Sequence, residues 1–117
     1  MRITLPWPPK VLSPNARVHW RTKHAAAATC RELAYYITTM APADQREHVR
    51  DSCALRMILT FLPPDKRRRD LDNIEAAMKA YLDGIFHACK ADDNAIHMTT
   101  KTWGDVVQGG AVIVEIA

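Results

Sequence analysis

The sequence lacks most of the motifs through which small proteins bind cofactors or structural metals. Its three cysteines, Cys30, Cys53 and Cys89, are far apart and form no C-x-x-C pair, which argues against a zinc ribbon, while their odd number argues against a disulfide framework. The five histidines show no H-x-x-x-H or H-E-x-x-H spacing, and no G-x-G-x-x-G or P-loop motif is present. With serine at only two positions, a serine nucleophile is poorly supported.

Long apolar runs are also absent. No segment approaches the length needed to cross a membrane, and the N-terminal apolar stretch is too short for a signal peptide. Reduced thiols fit a cytosolic compartment. We therefore expect a soluble, cytoplasmic protein, and 117 residues with a net charge of +3 predict a single, mildly basic domain over residues 1–117.

Hydrophobic periodicity predicts a β-α-β-α-β-β order. Alternating apolar residues indicate strands near residues 2–6 and 54–62, β-branched residues indicate one near 96–103, and an apolar run after a glycine turn indicates one near 111–116. Apolar spacings of three and four indicate helices near 22–40 and from Asp72 to about residue 85. Residues 41–53 are polar and look irregular, and the last two strands are placed to form a hairpin. The expected fold is α+β, with helices packed on a mixed sheet.

The most informative stretch joins four consecutive cations to two aspartates. Lys66, Arg67, Arg68 and Arg69 are suited to bind phosphate, and the closely following Asp70 and Asp72 are suited to bind Mg²⁺ or Mn²⁺, which prefer oxygen ligands. An alternative reading needs no ligand. Asp72 would cap the second helix, in a capping box with Glu75, and the arginines would pair with neighbouring acids.

A second acidic pair, Asp92 and Asp93, follows the same helix. Convergent carboxylates repel one another unless a divalent cation holds them together, and such a cation also assists phosphodiester hydrolysis. However, a helix of about 14 residues is roughly 20 Å long, so its two ends cannot share an ion directly. Either the following loop folds back, or a second subunit completes the site, or Asp92 and Asp93 form an ordinary turn.

The N-terminal loop carries further cations beside an aromatic residue. Arg17, Arg21 and Lys23 surround Trp20, an arrangement that suits a nucleic-acid surface. Alternatively, Trp7 and Trp20 cover the core and the charges merely face water.

These residues together resemble the RusA family of Holliday-junction resolvases, small endodeoxyribonucleases common in phages and prophages. The resemblance covers nearly the whole chain. It rests on Leu5-Pro6-Trp7-Pro8-Pro9, on the more specific Arg67-Arg68-Arg69-Asp70-Leu71-Asp72-Asn73, and on Asp92-Asp93 some twenty residues later.

The resemblance implies a RusA-like fold and a homodimer that binds branched DNA. Such a dimer resolves four-way junctions by symmetric paired cuts, in recombination and repair, with Mg²⁺ or Mn²⁺. It implies that Asp70, Asp72 and Asp93 are catalytic, with Asp92 as an adjacent metal ligand. The family's lysine, four residues after the second aspartate, is replaced here by Ala76. Lys79, about one turn further on, is a candidate replacement, or else half of an ion pair with Glu75.

Two other functions remain open from the sequence. A non-catalytic branched-DNA-binding module would use the carboxylates only to cap and pair, and the missing lysine favours this reading. A small metal-dependent hydrolase would instead turn over free nucleotides, and its binding of DNA would show little dependence on salt.

Overall fold

A mixed four-stranded sheet forms the framework of the protein. The computed structural model describes residues 1–117, and its strands are β1 (Arg2–Pro6), β2 (Leu55–Leu62), β3 (Ile96–Trp103) and β4 (Ala111–Ile116). Their order across the sheet is β1-β4-β2-β3. β4 is antiparallel to both β1 and β2, whereas β2 and β3 are parallel. With helices packed on this sheet, the predicted α+β class is confirmed.

The predicted hairpin between the last two strands is wrong. β4 lies between β1 and β2, where both of its edges are paired, and it buries Val112, Val114 and Ile116. The connection between β3 and β4 crosses the end of β2, since Gly104 N donates to the Phe61 carbonyl and Val107 N to the Pro63 carbonyl. The apolar strand thus takes a central position, and the more polar β3 takes the edge.

Four helices complete the fold: α1 (Trp20–Thr39), α2 (Ala43–Asp51), α3 (Leu71–Ala76) and α4 (Lys79–Cys89). Short 3₁₀ turns occur at Lys10–Leu12 and Asp93–Ala95. The prediction of irregular structure over residues 41–53 is wrong, because α2 occupies most of that range. Val49 is the only buried side chain of α2, so this helix leaves almost no hydrophobic period in the sequence.

The long helix predicted from Asp72 is in fact two helices. At Ala77 and Met78 the backbone tightens, and Met78 N donates to the Glu75 carbonyl at 2.9 Å. The apolar stripe nevertheless continues through this tight turn, because Ala77, Met78, Tyr81 and Ile85 are all buried. The N-cap of α3 is Asp70 rather than Asp72, so the predicted capping box of Asp72 with Glu75 is also wrong.

The core lies between one face of the sheet and the pair α1 and α4. Alternate residues of β1, β2 and β4 point into it, including the fully buried Leu5, Leu55, Leu59 and Phe61. α1 and α4 pack closely at Gly84, where an added Cβ would collide with the Arg31 carbonyl oxygen. This packing fixes where α3, which directly precedes α4, meets the sheet.

Candidate metal and nucleic-acid site

The loop between β2 and α3 is organised around the carboxylate of Asp65. Arg67 N donates to Asp65 Oδ1 at 2.9 Å, and the Arg67 guanidinium donates to Oδ2 at 3.1 and 3.2 Å. The guanidinium of Arg69 lies 2.8 Å from Oδ1. The Arg67 backbone N–H bond and the two guanidinium groups lower the pKa of Asp65 to about 2. Its carboxylate therefore binds Arg67 and Arg69 within this basic segment.

Of the four cations, Arg69 is held most tightly by the protein itself. Its Nη1 donates to the carbonyls of Asp65 and Arg67 at 3.2 and 3.1 Å, and its guanidinium stacks over the Trp7 ring at 5.4 Å. Its side chain is only 20% exposed. Arg69 therefore joins the N-terminal segment to the loop, in addition to any contact with a ligand.

Lys66 and Arg68 differ from Arg69 in being exposed and in having no hydrogen-bond or ion-pair partner in the protein. Arg67 keeps a 72% exposed side chain despite its pairing with Asp65. Three positive groups, Lys66, Arg67 and Arg68, thus remain accessible within four residues of Asp70. Exposed guanidinium and ammonium groups of this kind suit phosphate oxygens.

The N-terminal loop forms the opposite wall of a cavity beside these residues. The cavity has a volume of about 490 Å³. Its lining comes from both segments of the chain and includes Trp7, Lys10, Asn15, Arg67, Asp70 and Asn73. The structure therefore brings the proline-rich opening and the basic signature together, although they are about sixty residues apart in the sequence.

The other predicted DNA-binding cations follow this loop into α1. Arg17 is exposed, Arg21 lies over the Trp20 ring at 5.4 Å, and Lys23 Nζ donates to the Ser13 carbonyl at 3.4 Å. Trp20 is 65% exposed, so it does not cover the core, whereas Trp7 is partly buried and packs against it. An exposed aromatic ring beside a guanidinium is a surface on which a base can stack.

The first acidic pair lies at the N-terminus of α3. Asp70 Oδ1 accepts a hydrogen bond from Asp72 N at 2.9 Å, and the second oxygen of Asp70 has no partner. The Asp72 side chain is 84% exposed, and its Oδ1 accepts from Lys101 Nζ at 3.0 Å. Two carboxylates that each keep a free oxygen fit Mg²⁺, which takes one or two protein carboxylates together with water and substrate phosphate.

Lys101, and the contact that Glu75 makes with it, were not identified from the sequence. Lys101 Nζ lies 2.6 Å from Glu75 Oε2 as well as 3.0 Å from Asp72, and the two carboxylates raise the pKa of Lys101, Glu75 most strongly. In the β2–β3 register Lys101 is opposite the buried Leu59. Lys101 therefore lies on the core-facing side of β3, a position that only the strand register reveals, because the apolar Ile96 and Met98 have the opposite parity in the sequence.

Lys79, the sequence-based candidate for the missing cation, lies elsewhere. Its side chain is 77% exposed, and its Nζ is 3.4 Å from Asp83 Oδ1. Neither Asp72 nor Glu75 is among its partners, since both are paired with Lys101. A catalytic role for Lys79 stays a prediction.

The second acidic pair lies at the other end of the sheet. Asp70 and Asp72 follow the end of β2, whereas Asp92 and Asp93 precede the start of the parallel strand β3. Lys101, near the far end of β3, contacts Asp72, so most of that strand, about 17 Å from Ile96 to Lys101 at roughly 3.3 Å per residue, lies between the ends at which the two pairs are found. The connection between α4 and β3 therefore does not fold back to join the pairs.

The local geometry of the second pair resembles that of the first. Asp92 caps the 3₁₀ turn by accepting from Asn94 N at 2.9 Å, and Asp93 is exposed without a partner. Within one chain, no three His, Cys, Asp or Glu side chains are grouped so that they could hold a metal ion.

None of the helices has the length and hydrophobicity to cross a bilayer.

Comparisons with known proteins identify a relative but no activity. No protein-family model matches the chain. An uncharacterized protein from Xylella fastidiosa is 34% identical over 121 residues, an alignment that covers 97% of this chain and 74% of the relative. Among solved structures, the thiamine-monophosphate kinase of Stenotrophomonas maltophilia aligns with 99% of this chain at 13% identity and a TM-score of 0.34. The chain spans only 29% of that kinase.

Proposed function

The chain belongs to the same protein family as the Xylella fastidiosa protein, and we propose from its own residues that it is a metal-dependent endodeoxyribonuclease acting on branched DNA. The observation that carries the proposal is the juxtaposition of accessible cations, Lys66 to Arg68, with two carboxylates, Asp70 and Asp72, that keep free oxygens. Together with the resemblance to the RusA family, this supports symmetric cleavage of four-way junctions, as a phage or prophage enzyme of recombination and repair working in the cytoplasm.

The chemistry divides between binding and hydrolysis. The exposed cations of the signature and of the N-terminal loop would hold the DNA backbone, which positions the strand without reading its sequence. Asp70 and Asp72 would hold Mg²⁺ or Mn²⁺. When bound, the metal supplies charge stabilisation at the phosphate and lowers the pKa of an attacking water. Asp70 caps α3 by accepting from Asp72 N, and Asp72 lies in the first turn of that helix, so the backbone of α3 holds both carboxylates at one end of the helix.

The separation of the two acidic pairs supports the proposal of a homodimer. Because Asp93 precedes the start of β3 whereas Asp72 is bonded to Lys101 near the other end of that strand, we infer that Asp93 joins the Asp72 site only when a second copy supplies it. In a two-fold dimer each copy would give Asp70 and Asp72 to one site and Asp93, with Asp92 beside it, to the other. Two equivalent composite sites would then face two equivalent strands of a junction, which accounts for paired cuts.

A non-catalytic branched-DNA-binding module is the second candidate. It is favoured by the engagement of Asp70 as a helix cap and of Asp72 in an ion pair, since each carboxylate already has a structural role. In that case the basic surface would bind DNA without divalent metal and no product would form.

The experiment that separates the candidates is cleavage of a synthetic mobile four-way junction with and without Mg²⁺. Asp72→Asn removes one proposed ligand, and Asp44→Asn is a matched control because Asp44 is also an exposed aspartate in the first turn of its helix, α2. Paired nicks that require metal, persist in the control and vanish in Asp72→Asn, with junction binding retained, are expected. Tight binding with no cutting by the unaltered protein would refute the nuclease. Free nucleotides serve as the negative substrate.

A further inference from the structure

Lys101 is the one cation bonded to the acidic residues at the head of α3. It reaches them from β3, a strand that begins some twenty residues after α3 ends, and its side chain is 26% exposed. Its ammonium lies 2.6 Å from Glu75 and 3.0 Å from Asp72. Glu75 is only 35% exposed while Asp72 is 84% exposed, so Glu75 is the shorter and more buried of the two contacts and Asp72 is the partner open to solvent.

The charges around this lysine leave room for one divalent ion. Asp70, Asp72 and Glu75 carry three negative charges, and Lys101 carries one positive charge. The carboxylates therefore outnumber the one cation hydrogen-bonded to them, which leaves negative charge for a divalent ion. Asp72 Oδ2 and Asp70 Oδ2 accept no hydrogen bond, so an ion can bind there while the ammonium keeps its bond to Glu75.

We propose that Lys101 is a resident cation of the metal site, positioned by Glu75, which competes with the divalent ion for Asp72 and then stays beside the bound phosphate as a second positive group. This inference rests on the proposed function and adds a residue of this chain to it. Lys101 would thereby occupy, from a different strand, the cationic role that the sequence analysis assigned to Lys79.

The proposal predicts opposite effects on metal affinity and on cleavage. Removing a positive charge about 5 Å from a divalent ion strengthens binding of that ion by roughly threefold to tenfold, by Coulomb's law in a water-like dielectric with salt screening. Cleavage should fall by about tenfold or more, because the phosphate loses a nearby cation during the reaction. A lysine with a merely structural role would instead leave metal affinity unchanged or weaken it when removed.

The test measures Mn²⁺ affinity of the full, DNA-free protein by electron paramagnetic resonance, and junction cleavage separately. Lys101→Met should bind Mn²⁺ more tightly and cut more slowly, and Lys101→Arg, which restores the charge, should bring Mn²⁺ affinity back to that of the unaltered protein. Arg50→Met is the charge control, since it removes an exposed cation paired with Asp51 on α2. Lys79→Met tests the sequence-based alternative in the same assay.

The outcomes distinguish a failure of the proposed nuclease from a failure of the proposed role of Lys101. If the unaltered protein binds Mn²⁺ through Asp72 but cuts no junction, the nuclease fails, while a rise in Mn²⁺ affinity in Lys101→Met still supports the resident cation. If the unaltered protein cuts and Lys101→Met shows unchanged or weaker Mn²⁺ affinity, the inference is overturned and the nuclease stands. If the protein shows no Mn²⁺ binding that is lost in Asp72→Asn, the proposed nuclease and the proposed role of Lys101 are both overturned.

Discussion

Arg68 and Arg69 are adjacent in the sequence, yet the structure predicts that their replacement by alanine has different consequences. Arg69 makes an ion pair with Asp65, two hydrogen bonds to carbonyls and a stacking contact with Trp7. Loss of these contacts should lower the free energy of unfolding by about 1.5–3 kcal/mol. With an unfolding entropy of about 2.1 cal/mol/K per residue over 117 residues, each kcal/mol lowers the Tm by about 4 °C, so Arg69→Ala should melt about 6–12 °C lower.

Arg68 has no partner in the protein, so Arg68→Ala should change stability by less than about 0.5 kcal/mol. Its effect should appear in DNA binding instead. A lost phosphate contact reduces the slope of log affinity against log salt by about 0.9 per protomer, which is roughly a 3.5-fold smaller loss of affinity between 50 and 200 mM salt.

Thermal melts and junction-binding titrations across that salt range measure the two effects on the same preparations. Lys66→Ala provides a second exposed cation of the same kind, and it should behave like Arg68→Ala. The reasoning would be refuted if Arg68→Ala and Arg69→Ala lowered the Tm equally. It would also be refuted if Arg69→Ala left the Tm unchanged and altered only the salt slope.

Three further predictions concern the framework of the site. Gly84→Ala should destabilise the fold by about 1–3 kcal/mol in a denaturant melt. The collision of the added Cβ with the Arg31 carbonyl outweighs the roughly 1 kcal/mol by which alanine favours a helix over glycine. A stabilised variant would contradict the close packing of α1 and α4 at Gly84. Tyr81→Phe should cost about 1–2 kcal/mol, since Tyr81 donates to the Pro6 carbonyl at 3.1 Å, and no change would contradict that bond. Because the pKa of Asp65 is lowered, the stability that its ionised carboxylate contributes is present above about pH 4 and is lost as pH falls toward 2. The stability of Asp65→Asn should therefore fall less steeply than that of the unaltered protein in this pH window. Identical acid-unfolding profiles would contradict the role given to Asp65.

Three of the strands were predictable from their apolar residues, and the polar edge strand β3 from its β-branched residues. β2 buries Leu55, Met57, Leu59 and Phe61, and this period of two is visible without any structure. The pairing of the strands was not predictable in the same way. Adjacent strands in the sequence favour a hairpin, but the paired position of β4 depends on contacts with β1 and β2 that lie far away along the chain.

The helices show which signals are local and which are not. The apolar stripe of α4 was visible, but the tight turn at Ala77 and Met78 preserves that stripe and so leaves no trace in the periodicity. Helix α2 was missed because it buries only Val49. Both errors come from reading hydrophobic period alone, which reports which residues face the core rather than how the backbone bends.

The residues of the candidate site also differ in whether a local sequence pattern reveals them. Asp70 and Asp72 follow from a compact local motif, and the structure places them together at one helix N-terminus. The contact of Lys101 with Asp72 joins residues 29 positions apart, and no local pattern specifies it. The separation of Asp93 from Asp72 likewise depends on β2 and β3 being parallel, which the sequence did not reveal.

The central claim is that each site takes Asp72 from one copy of the chain and Asp93 from another. The most direct measurement mixes Asp72→Asn with Asp93→Asn after co-refolding, and assays junction cleavage with Mg²⁺. In a composite dimer the mixed pair contains one intact site and one doubly altered site, so nicking should return although each variant alone is inactive. If the mixed protein stays as inactive as its components while mixed dimers are shown to form, the two aspartates do not share a site across the dimer, and the account is contradicted.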